Sequence, residues 1–358
     1  MKAAILLLTA LLMQICLSGC VHEWPEDPYP GEATATLRLE FDSDLPFYTL
    51  VEYNPQSRAS HPAADIPGRS DDRIPYRHTL RYTVNAYEPG TRTLVESRTF
   101  FKDDISTVDH EVTMTLPRGV YNIYVWADYT DAAAPDRNMY YSPADFAEIT
   151  LAPSPHIGGT DFRDAARGSI EIDLRGGQGS EQWEDVHVAG TVRMERPLAR
   201  FRFITTDLQE FLSRYEAAVT ANDPSREPSK SPAAILSEYK VRLRYSGFMP
   251  SSYNIFTDAP ADALTGSSFD GNMKVIDDSE VELGFDYVFV NHADASVDVA
   301  IELYSRHSGE LVAACDPVTV PLRRSHLTEV RGRFLTATST GGMGINPGFN
   351  GSFEIEIK

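Results

Sequence analysis

Cysteine is scarce in this chain: three residues in 358, at Cys16, Cys20 and Cys315. Cys16 and Cys20 end an N-terminal apolar run, so Cys315 is alone in the body of the chain and no intrachain disulfide is expected there. It lies in Leu311-Val312-Ala313-Ala314-Cys315, a strand-like apolar stretch. A nucleophilic thiol wants an electropositive, partly exposed setting, so a buried, inert thiol is expected. Basic residues are also few, 32 Lys and Arg against 52 Asp and Glu, for a formal net charge of −20. Such a surface repels phosphate backbones, which argues against nucleic acid as a partner. It also repels anionic headgroups, so a basic face cannot supply membrane attachment.

Catalytic and metal signatures are missing as well. None of the nine histidines belongs to a His-x-x-x-His pair, and no cysteine pair is available for zinc. Asp128, Asp131 and Asp136 lack the glycine bend and closing glutamate of a calcium loop. Gly176-Gly177-Gln178-Gly179 and Gly341-Gly342-Met343-Gly344 are followed by no Lys-Ser/Thr and read as loops, and no Gly-x-Ser-x-Gly elbow occurs. No residue set offers a nucleophile, a base and an orienting group together. The chain therefore reads as a non-enzyme, with no catalytic residue, metal or cofactor assigned.

The N-terminus carries the sharpest positive signal. Lys2 precedes the apolar run Ala3–Leu17, which closes in Leu17-Ser18-Gly19-Cys20. The run is short for a membrane span and has the flanks of a signal peptide. Small residues before a cysteine are what a lipoprotein signal peptidase requires. Residues 1–19 thus read as a lipoprotein signal, and Cys20 as the mature first residue, lipidated (palmitate included) on sulfur and amine. Several acyl chains anchor a protein stably where one does not. Residues 20–32 follow as an acidic tether in which Pro25, Pro28, Pro30 and Gly31 forbid regular structure.

From Ala33 onward the hydrophobic period is two. Leu37, Leu39 and Phe41 alternate with polar residues; Leu80–Tyr87 and Thr93–Phe101 flank Pro89-Gly90 as a hairpin. Val112, Met114 and Leu116 alternate up to a turn at Pro117-Arg118-Gly119, and Val120–Asp128 reads as a central strand. Gly168–Leu174, Val186–Met194, Leu198–Ile204, Tyr239–Tyr245, Val281–Val290, Val297–Leu303, Leu311–Ala314, His326–Leu335 and Ser352–Lys358 read as further strands. Asp270-Gly271 gives a tight-turn signal before Met273–Ile276. One helix is expected, where Leu208, Phe211, Leu212, Tyr215 and Val219 share a face behind an Asp207/Glu210 capping pair. Polar, Pro- and Ser-containing loops are expected at Asn54–Asp72 and Asn222–Pro232. Many short strands and few helices predict an all-β fold of sandwiches. Chain length favours two domains, placed at 33–195 and 196–358 across Glu195-Arg196-Pro197.

One aromatic group stands out as a candidate ligand or partner contact: Tyr124, Trp126, Tyr140 and Tyr141, with Tyr129 nearby. In an extended strand Tyr124 and Trp126 share a face, opposite Ile123 and Val125. Exposed, that face would stack on a sugar or a protein; buried, it would be core. Exposure of Trp126 separates the two readings.

Gly119-Val120-Tyr121-Asn122-Ile123-Tyr124-Val125-Trp126-Ala127-Asp128-Tyr129, Arg196-Pro197-Leu198-Ala199-Arg200-Phe201 and Leu327-Thr328-Glu329-Val330-Arg331-Gly332-Arg333-Phe334-Leu335-Thr336 follow the lipid signal and tether in that order. Together they resemble the fimbrillin-like lipoproteins of the Bacteroidota, nearest to anchor and minor subunits of type V fimbriae and related uncharacterised lipoproteins. The resemblance implies two tandem transthyretin-like (Greek-key) β-sandwich domains, the helix lying in the second. It implies an outer-membrane, lipid-anchored and surface-exposed protein, an anchor or accessory adhesion subunit. Its partners would be fimbrillin-like subunits or other surface proteins, joined by β-strand exchange. In polymerising members a protease trims the N-terminal strand at a basic residue; Arg38 and Arg58 are available here, and an anchor would stay untrimmed. A surface lipoprotein that captures glycan through the Tyr/Trp group is the alternative.

Overall fold

The computed structural model describes residues 31–41, 47–53, 78–102, 110–152, 156–176, 185–222 and 231–337. The lipid signal, Cys20, the tether before Gly31, the loop Asn54–Asp72, Gly177-Gln178-Gly179, most of the Asn222–Pro232 loop, Gly341-Gly342-Met343-Gly344 and the strand expected at Ser352–Lys358 lie outside the described residues.

The chain is almost entirely β. Strands β1 (Glu32–Phe41), β2 (Phe47–Tyr53), β3 (His78–Tyr87), β4 (Leu94–Lys102), β5 (His110–Pro117) and β6 (Val120–Asp131) come first. Short β7 (Tyr141–Ser142) and β8 (Ile149–Leu151) precede a 3-10 turn at Asp161–Arg163, then β9 (Ala165–Asp173), β10 (Val186–Met194) and β11 (Leu198–Thr205). Helices α1 (Leu208–Asn222) and α2 (Pro232–Leu236) come next. The rest is β12 (Tyr239–Tyr245), β13 (Met249–Asn254), β14 (Ala259–Leu264), β15 (Ser268–Gly271), β16 (Lys274–Val275), β17 (Val281–Phe289), β18 (Ala295–Ser305), β19 (Leu311–Leu322) and β20 (Leu327–Gly332).

Two sheets, β10-β1-β5 and β4-β3-β6-β9, enclose a first core. The alternation of β1 explains its place. Ala33, Ala35, Leu37 and Leu39 point inward and are buried, while β5 runs antiparallel on one side and β10 parallel on the other. The β3–β4 hairpin closes at Gly90, whose φ of 81° suits glycine. The turn at Pro117-Arg118-Gly119 does not make a hairpin: β5 pairs with β1 and β6 with β3 and β9, so the turn carries the chain from one sheet to the other.

Sheets β16-β17-β11-β20-β2 and β15-β12-β18-β19 enclose a second core built around Phe201, Phe203, Leu243, Leu283, Val299 and Val330. A fifth strand set, β14-β13-β8-β7, draws one hairpin from each half of the chain and joins them through Ser252↔Thr150 and Tyr253↔Ile149.

Three expectations need correction. Asp270-Gly271 is not a turn; both residues lie in β15, paired with Arg242 and Val241. A Cβ on Gly271 would collide with the Leu283 carbonyl oxygen of β17, so glycine is there for close strand approach. Among the described residues there are two α-helices, not one, the second being a single turn capped by Ser231, whose hydroxyl accepts from the Ala234 amide at 3.3 Å. Helix α1 starts and ends where its apolar face predicts, but the Asp207 carboxylate does not close a box with Glu210. It accepts from the Leu335 and Thr336 amides at 3.3 and 2.8 Å and from the Thr336 hydroxyl at 2.6 Å. Glu210 pairs instead with Arg214 at 2.7 Å and with Arg333.

Candidate functional site: the N-terminal strands and the aromatic joint

The segment Glu32–Tyr53 contributes to both sandwiches. Its first strand, β1, is the middle strand of its sheet, with Leu37 opposite Val112 of β5 and Gly190 of β10. Its second, β2, adds to the edge of the other sandwich, parallel to β20, with Val51 opposite Val330. Val51 packs against the second core. Without β1, strands β5 and β10 would each face an open row of backbone donors and acceptors above the cleft that Leu37 and Leu39 fill. Such a cleft accepts another strand, whose backbone satisfies the edges and whose alternate side chains enter the pockets. The pattern Leu37/Leu39 points to β1; β2 went unread, although Phe47-Tyr48-Thr49-Leu50-Val51 is rich in strand-forming residues.

The aromatic group does not form a surface. Trp126, Tyr140 and Tyr141 are buried, at 0%, 3% and 0% exposure, so of the two readings of this candidate contact group the burial favours core. Strand β6 is covered on both sides. Ile123 and Val125 enter the first core, and Trp126 enters a separate aromatic cluster between the two sandwiches. There it meets Tyr141 edge-on at 5.6 Å, Tyr253 at 6.3 Å and Phe289 at 6.4 Å. The Tyr141 hydroxyl donates to the Arg163 carbonyl at 2.6 Å, and the Tyr140 hydroxyl lies 3.0 Å from His78 Nε2. Tyr124 is half-buried, edge-on to Phe256 at 5.0 Å and to Tyr87 at 5.9 Å. A sugar platform needs solvent-facing rings, and the second sandwich covers these.

Two carboxylates tie charged groups into the same region. Asp286 of β17 is fully buried; it lies 2.7 Å from His156 Nε2 and 3.4 Å from Arg163 Nε, and it accepts from the Tyr245 hydroxyl at 2.7 Å. Burial alone would raise its pKa, but Arg163 and His156 outweigh burial and hold it below the ordinary carboxylate value. Tyr245 is pushed the other way, by burial and by Asp286 itself. Asp258 collects Arg324 at 2.7 Å, His292 at 2.7 Å, Arg167 and the Tyr253 hydroxyl. Its φ of 56° lies in the left-handed region, a strain held in place by these partners.

Asp128 is buried under a bidentate Arg81, at 2.9 and 2.6 Å, so it is no calcium ligand in waiting. Among the described residues, no group of three His, Cys, Asp or Glu side chains is placed to hold a metal ion. Cys315 is buried, and burial pushes its thiol up to about 12. Among the described residues no helix is long and apolar enough to cross a membrane.

Residues 30–358 match the family described as "Family of unknown function (DUF6562)". No curated protein matches the chain. Among solved structures, one of the DUF1812 proteins of Bacteroides thetaiotaomicron is similar at 12% identity and a TM-score of 0.41, covering 79% of this chain and 80% of that one. The fimbrial anchor protein Mfa2 of Porphyromonas gingivalis is similar at 13% identity and a TM-score of 0.38, covering 79% and 82%. A fimbrial assembly protein of Parabacteroides distasonis is similar at 11% identity and a TM-score of 0.35, covering 87% and 92%.

Proposed function

The chain belongs to the DUF6562 family, a family of unknown function, and we propose that it is a lipid-anchored, non-enzymatic subunit of the cell outer membrane that joins fimbria-like assemblies or other surface proteins by strand complementation. The observation that carries this reading is the dual role of Glu32–Tyr53, which places β1 in one sandwich and β2 in the other. The same segment follows directly on the tether and the expected lipid at Cys20. Membrane attachment and occupancy of both strand positions are therefore linked in one stretch of chain. An untrimmed chain keeps its own clefts filled and stays on the membrane, as an anchor must; a trimmed one would leave the lipid behind and open both positions. The two domains at 33–195 and 196–358 are part of this proposal, with β2 as the segment that crosses between them.

Two experiments test it. The full chain should fractionate with outer membranes, and Cys20→Ala should move it to the soluble fraction; membrane retention by that variant contradicts the anchor. Purified chain cleaved after β2 and mixed with fimbrillin subunits of the same cell should give crosslinks that map to paired strands. Absence of any strand-complementing contact with any of them defeats the assembly role.

A further inference from the structure

We infer that the two sandwiches are latched into one cooperative body by the strap His156–Arg163, with Asp286 as the keyhole. The strap leaves the shared strand set after β8 and bridges the two sandwiches before β9: its Phe162 ring stacks on His78 at 3.6 Å and meets Tyr129 edge-on at 5.3 Å in the first, while His156, Gly159 and Arg163 reach the second. The Gly159 amide donates to the Phe285 carbonyl at 2.8 Å. Gly159 has φ of 71°, and a Cβ on Gly158 would sit on the Phe269 ring, so the two glycines let the strap bend and lie flat there. His156 then enters the second sandwich, edge-on to Tyr245 at 6.0 Å and bonded to Asp286. Arg163 follows, donating to the Ile157 carbonyl at 2.9 Å and facing Asp286.

The strap thus carries two cationic or proton-bearing groups from one half of the chain onto a fully buried carboxylate of the other. Lifting it would strand Asp286 in an apolar interior and expose Arg163, so separation of the sandwiches costs a buried charge pair as well as the aromatic contacts. Asp258 repeats the arrangement nearby, with Arg167 from the first half and Arg324 from the second on one carboxylate. The second latch adjoins Glu195-Arg196-Pro197: Arg167 pairs with Glu195 through the backbone, and Arg324 donates to the Arg196 carbonyl at 2.8 Å. The Asp286 latch is made by residues outside that stretch, and its coupling does not depend on whether the protein is an anchor.

Calorimetry of the purified full chain is the test. The wild type should melt in one transition with equal calorimetric and van't Hoff enthalpies. His156→Ala and Asp286→Asn should each split it into two transitions, or pull that enthalpy ratio clearly off one, while Glu216→Gln, at an exposed position of α1, leaves it unchanged. Two resolved transitions in the wild type, or an unaltered single transition in both strap variants, would overturn the latch. Should Asp286→Asn fail to fold, native-state hydrogen exchange of the wild type decides. A common opening free energy for the slowest amides of β6 and β17 supports the latch, and two separate values refute it.

Discussion

Strand β1 allows a comparison of neighbours that differ only in the face they present. Leu37 is fully buried between β5 and β10, whereas the next side chain, Arg38, is 62% exposed and holds Glu40 at 3.4 Å. Leu37→Ala removes three buried carbons from a site walled by Val112 and Ile170, in strands paired on both sides that cannot collapse freely. Leucine-to-alanine changes at such sites cost about 2–5 kcal/mol, and the double pairing places this one toward the upper half of that range. Arg38→Ala removes a screened surface pair and should cost under about 1 kcal/mol. Urea unfolding followed by circular dichroism, at constant m-value, gives both numbers. A Leu37→Ala cost below about 1 kcal/mol, or an Arg38→Ala cost as large as that of Leu37→Ala, would refute the reasoning that β1 fills an apolar cleft.

Three further predictions follow from the buried chemistry. The Cys315 thiol, pushed up to about 12, should resist a disulfide reagent at pH 8 in the folded chain and react at once in denaturant; prompt reaction without denaturant contradicts its burial. Gly271→Ala forces β15 off β17 and should lower stability by at least about 1–3 kcal/mol in thermal melts, whereas Gly309→Ala, with open space at φ of 72°, should cost about 1 kcal/mol through backbone strain alone. Asp286 has a depressed folded pKa, so its contribution is fully present above the unfolded value of about 3.9 and is lost as pH falls through the folded one. Melts of the wild type should therefore fall below pH 4, with a shallower fall in Asp286→Asn; parallel pH profiles would contradict the assignment.

Much of the fold was legible because local period and local burial agree. Leu37 and Leu39 in β1, the Pro89-Gly90 hairpin and the apolar face of α1 depend on near neighbours or on one buried side, and the structure places all three as expected. What escaped was set by distant chain. Strand β2 pairs with β20, far along the sequence, and no local turn announces that pairing. Strands β13 and β14 carry Pro250 and Pro260, which locally argue against strands and are tolerated beside irregular register. Asp270-Gly271 has the composition of a turn, yet its glycine answers to the Leu283 carbonyl of another sheet. For the candidate site, alternation correctly put Trp126 opposite Ile123 and Val125. It could not reveal that Tyr253 and Phe289 cover that second face, and this turned a platform into a joint.

Strand replacement itself is the most direct thing to measure. A protease site inserted between residues 54 and 77 of the full chain allows the N-terminal segment to be nicked and followed by native mass spectrometry. The nicked segment should remain bound, and a labelled copy of Glu32–Tyr53 in excess should replace it over time, with the body of the protein folded throughout. A segment that leaves with no loss of thermal stability, or one that no added strand ever displaces, would contradict the claim that these two strands fill exchangeable clefts.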